Sequence, residues 1–122
     1  MKVLYTHPED KEKIKLNTFL HGGSHPDIDN TKLVTEKSFI RWHTEYYAIS
    51  DESISRHGNT TRSRVERKTT TDCYRIANTG RFTLLQILQN LAECHYYTYG
   101  DTGQTLHSVG LFDTEAVIMI LH

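Results

Sequence analysis

Residues 83–95, TLLQILQNLAECH, constrain the fold more than any other stretch of the chain. Thr83 and Gln86 form a capping box, in which each side chain satisfies a backbone donor that a helix start leaves open. Phe82, just before the cap, stands four residues from Ile87, the spacing of a hydrophobic staple. Leu84, Ile87, Leu88 and Leu91 make one apolar stripe with Leu85 on its shoulder, while Gln86, Gln89, Asn90 and Glu93 take the wet face. Burial of such a stripe contributes about 1.5–3 kcal/mol per large side chain against the cost of ordering. A chain with this helix needs an apolar surface to lay it on.

The segments around the helix supply strands. Lys2–Thr6 reads as a short opening strand, and His7-Pro8-Glu9-Asp10 as the start of a sparse helix to about Leu20. His21 to Asp27 is a loop by its Gly and Pro content. In Thr35 to Ser50, Ile40, Trp42, Tyr46 and Ala48 fall at even spacing and predict a strand. Trp42, Tyr46 and Tyr47 there suit a core or subunit interface. Asp51 to Asn59 holds turn formers. Most of Thr60 to Ala77, rich in Thr and other β-branched residues, reads as a long strand. Tyr96–Tyr99 leads to a hairpin turn at Gly100-Asp101-Thr102-Gly103, then strands at Thr105–Phe112 and Ala116–Leu121. The last is apolar at every position, as in a strand covered on both faces. The fold expected over residues 1–122 is one α+β domain. It combines an antiparallel or mixed sheet of about five strands, the 83–95 helix on one face and a shorter N-terminal helix.

Composition bounds the rest. Leu, Ile, Val and Phe make up 29 of 122 residues, enough to exclude disorder as the default. Hydrophobic residues are nevertheless only 37%, so a thin core is expected, helped by a partner subunit in a homo-oligomer. Two cysteines, Cys73 and Cys94, form no disulfide framework, and no run approaches the roughly 20 apolar residues that span a bilayer. With no signal-peptide pattern at the start, a soluble, cytoplasmic protein with reduced thiols is expected.

Charge is sorted along the chain although the formal total is −1. Residues 53–81 hold seven cations (Arg56, Arg62, Arg64, Arg67, Lys68, Arg75, Arg81) against Glu66 and Asp72. Residues 82–122 hold no Lys or Arg and four acids. Arg62, Arg64 and Lys68 share one period-two set of the long strand, which shows no core pattern until Cys73. That strand belongs at an edge, an extension or a groove. Alternate strand residues lie about 6.5–7 Å apart, close to successive phosphates. Arg56, His57, Arg62, Arg64 and Lys68 are therefore the candidate ligand-binding residues, for a nucleotide, a nucleic acid or an acidic protein surface.

Three other readings of the same residues stand beside this one. Edge cations also serve simply to block aggregation. A metal-independent ribonuclease would use His43 and His57 as acid and base, with Lys68 or Arg64 stabilising charge on phosphate. An inhibitor or complex subunit would pair the basic strand edge to edge with a protein target. His21, His25 and Asp27 have metal-ligand chemistry, but Gly22, Gly23 and Pro26 place them in a loop, where a polar turn accounts for them. Nucleotide-binding, hydrolase-elbow and zinc-protease motifs are absent, and no cofactor is implied. The expectation is a small non-enzymatic binding protein.

Overall fold

The computed structural model describes residues 2–36, 39–54, 60–70, 76–77, 81–113 and 116–122. Thr83 caps helix α1 (Leu84–Tyr99) in the predicted manner. Gln86 N–H donates to Thr83 Oγ1 at 3.2 Å, and Thr83 N–H donates to Gln86 Oε1 at 3.1 Å. The predicted stripe is buried, and Ala92 and His95 extend it. His95 stands four residues beyond Leu91, so the helix has an inward side chain to continue on and runs through Tyr96–Tyr99. The strand and hairpin expected there do not form. Gly100 ends the helix instead, its N–H donating to Tyr96 O at 2.7 Å with φ 75° and ψ −162°. That backbone region is open essentially to glycine alone.

The main sheet has the order β1 (Lys2–Thr6), β7 (Leu106–Asp113), β8 (Ala116–Leu121), β3 (Phe39–Ile54), β4 (Thr60–Thr70). The short β5 (Ile76–Ala77) pairs with the start of β3 off this path. The sheet is mixed: β3 and β8 run parallel over Arg41–Tyr46 and Ala116–Leu121, and the other pairs are antiparallel. A parallel pair needs a long crossover, and here everything from β4 to β7 supplies it. A second, two-stranded sheet joins β2 (Leu33–Thr35) to β6 (Phe82–Thr83) and seats the start of α1, where Leu84 N–H donates to Lys32 O.

Two further predicted elements differ. Helix formation near the N-terminus is limited to a 3-10 turn at Leu16–Gly22, which buries Leu16 and Phe19. Between Pro8 and Lys15 only Ile14 is apolar, too little for a helical stripe. The backbone there pairs with residues 104–106: Leu106 N–H donates to Ile14 O and Leu16 N–H to Gln104 O. Gly23 follows the turn because a Cβ there would sit 1.9 Å from Thr18 O. Residues 51–54 of the predicted turn belong to β3, which continues to Ile54, and residues 55–59 lie outside the described residues. Of the long strand expected over 60–77, β4 (Thr60–Thr70) and β5 (Ile76–Ala77) are described, both antiparallel to β3, and residues 71–75 lie outside the described residues.

One core joins sheet and helix. Leu4, Trp42, Leu106, Val109, Val117, Met119 and Leu121 from the strands meet Ile87, Leu88 and Leu91 of α1 and Phe19 of the 3-10 turn. β8 is central, between β7 and β3. Its alternate residues Ala116, Ile118 and Ile120 are only partly buried, so the expected cover on both faces is present on one. Among the described residues no helix is long and apolar enough to cross a membrane.

Candidate functional site

β4 closes one edge of the main sheet. Its register on β3 is regular from Thr44↔Thr70 to Ile54↔Thr60. β3 meets β8 only as far as Tyr46. Beyond that point residues 47–54 and 60–67 continue as a two-stranded ribbon, with no third strand beside it among the described residues. At about 3.3 Å per residue the ribbon is about 25 Å long. The edge or extension that the missing core pattern demanded is thus both at once.

The register assigns each cation an opposite residue: Arg62 faces Glu52, Arg64 faces Ser50, Arg67 faces Tyr47 and Lys68 faces Tyr46. Arg56 and His57 lie outside the described residues, as do Cys73 and Arg75. Pairing also changes the charge. The paired stretch of β4 carries four cations and Glu66, while the paired stretch of β3 carries Glu45, Asp51 and Glu52. The basic segment that stood out in the sequence therefore becomes a ribbon of zero formal charge, with its cations on the open strand and most of its acids on the inner one.

Of the histidines proposed for phosphodiester chemistry, His57 lies outside the described residues and His43 is described. His43 sits on β3 opposite Ile118, with its Nε2 3.9 Å from Glu45 Oε1. Lys68 is in register with Tyr46, three residues along β3 and so out of phase with His43 in the two-residue alternation of a strand.

The loop set is engaged in local contacts. His25 Nδ1 accepts from the Asp27 N–H at 3.1 Å, Lys11 Nζ lies 3.4 Å from Asp27 Oδ1, and His21 has a left-handed φ of 55°. A hollow of about 580 Å³ opens beside this loop, lined by Ser24 to Asn30 and Leu85. Within it Asp29 accepts from the N–H and Oγ1 of Thr31, which hold its carboxyl below the usual range. Among the described residues no three His, Cys, Asp or Glu side chains are arranged to hold a metal ion.

Sequence spacing missed one cluster. His107 and His122 stack with ring centroids 4.2 Å apart and planes within 11°. Lys13 Nζ lies 3.4 Å from His122 Nδ1, and His7 N–H donates to His107 O. Burial first, then His107, Lys13 and His7, push the His122 pKa down. These residues are distant in sequence, and only the pairing of strand ends unites them. Cys94, the described thiol, is half-buried, and burial followed by Glu93 raises its pKa. Trp42 is core, as expected.

No known protein family, curated protein or solved structure matches the chain.

Proposed function

We propose that this chain is a small non-enzymatic binding protein that recognises an acidic, extended protein segment along the basic edge strand β4. The observation that carries this reading is the joint position of the cations and the open edge. Arg62, Arg64, Arg67 and Lys68 lie on a strand with backbone partners on one side only among the described residues. An added strand gains affinity from main-chain hydrogen bonds and specificity from alternating side chains. Acidic residues at alternate positions of the added strand would match the cations of β4, and the acids of β3 would disfavour a register shift.

A phosphate backbone is the weaker fit. Polyanion binding draws on many cations at once, and here Asp51, Glu52 and Glu66 share the ribbon with them. The ribonuclease reading has less support still, because His43 and Lys68 are out of phase.

The discriminating experiment is fluorescence anisotropy with two probes, a labelled peptide of alternating Glu and Val and a single-stranded RNA of equal charge. The peptide should bind more tightly at low salt, and Arg62→Glu with Arg64→Glu should weaken it at least about tenfold, the scale of one or two lost charge pairs. Tighter binding of the RNA, with a steep salt dependence, would overturn the reading in favour of a nucleic-acid ligand. RNA cleavage abolished by His43→Ala would overturn it in favour of the enzyme.

A further inference from the structure

On the face of the main sheet opposite α1, an apolar row on β8 runs between Arg41, His43 and Glu45 of β3 and Ser108 and Gly110 of β7. β8 presents Ala116, Ile118 and Ile120 there, and Val3 and Phe112 are 58% and 70% exposed. Strands paired in parallel are ordinarily covered on both faces, and β3–β8 is such a pair. Among the described residues, the helix and the 3-10 turn pack on the other side only. This face is independent of the β4 edge.

Its relief is specific. The register of β7 on β8 shifts between Leu111 and Asp113, so Phe112 occupies a bulge, the device that re-aims a side chain out of a sheet. Near the other end of the same two strands lies a hollow of about 220 Å³, whose lining includes Val3, Thr6, His107, Ser108, Ile118 and Ile120. Knob and hollow stand on either side of the row Gly110–Ile118–His43. A two-fold axis parallel to the sheet, across the strands and over that row, preserves strand order and reverses strand direction. It carries Phe112 onto the Ser108 end of a second copy, sets Ile118 against Ile118, and sets small Ala116 against large Ile120. Such an interface is isologous, the commonest kind between identical subunits.

We propose that two copies of the chain pack through these faces as a two-layer sandwich, Phe112 of each filling the hollow of the other. Facing sheets pack about 10 Å apart with strands within about 30° of alignment, which leaves room for interdigitating side chains. A single aromatic anchor in a pocket commonly dominates such an interface. Both β4 edges remain outside it, so the dimer displays two.

Sedimentation velocity of the full chain across micromolar concentrations tests this. Wild type should sediment as a dimer. Phe112→Asp should weaken association at least about tenfold, without threatening the fold because the ring is exposed. Ser108→Phe, which plugs the hollow, should weaken it as well. Tyr97→Asp, on the 93% exposed aromatic of α1, should leave the dimer intact. A monomeric wild type overturns the proposal. So does a dimer that survives Phe112→Asp, which would point to β4 pairing edge to edge, or one that depends on Tyr97.

Discussion

At the end of the sheet, His7, Lys13, His107 and His122 crowd cationic chemistry into one spot, with two imidazoles stacked at 4.2 Å. The sign of the resulting pH effect follows from His122. Its folded pKa lies below the ordinary 6.5, so as pH falls through that value the unfolded chain takes up a proton that the folded chain resists. Stability is therefore lost as pH drops below about 6.5 toward the lowered pKa. Thermal melts between neutral and mildly acidic pH should show a steeper loss for wild type than for His122→Asn, which cannot ionise; parallel curves would count against the cluster. Thr83 gives a simpler case. Replacing it by alanine removes the acceptor for the Gln86 N–H and should cost about 1 kcal/mol in urea unfolding. The two residues differ in legibility. The capping box is local, three residues apart, and could be written down from the sequence. The imidazole stack needs the register of β7 on β8, which no spacing encodes.

Elements were legible where one local pattern agreed with one tertiary need. α1 had both cap and stripe, and β8 had an apolar run fit for the centre of a sheet. The misplaced boundaries share a cause: local propensity was outweighed by what the neighbouring backbone offered. Tyr96–Tyr99 favours a strand by composition, yet His95 buried in register with Leu91 carries the helix through it. Residues 11–15 look helix-compatible, yet Ile14 and Leu16 bond to the 104–106 backbone. β4 was the informative intermediate case. Its lack of a core face left an edge, an extension or a groove, and among the described residues it lies at an edge, but the sequence could not say that β3 would bring Asp51 and Glu52 alongside. That pairing moves the functional reading from a polyanion toward an acidic polypeptide, and the double reversal of Arg62 and Arg64 tests it at this scale.

For the molecule as a whole, charge and burial are separated along the chain in a way that leaves two surfaces unfinished. The last third of the chain, free of Lys and Arg, builds the helix and the central strand with its outward apolar row, while the basic segment contributes β4 at the open edge. If the face takes a second copy and the edge a different polypeptide, as proposed, the dimer would offer two equivalent edges. Hydrogen exchange reads binding at the β4 edge directly. Exchange should be followed at the amides of residues 60–70 with and without the alternating Glu-Val peptide. Alternate β4 amides, those directed away from β3, should become protected on binding while the amides bonded to β3 change little. Binding that leaves β4 unchanged and protects another part of the chain would contradict the proposed edge.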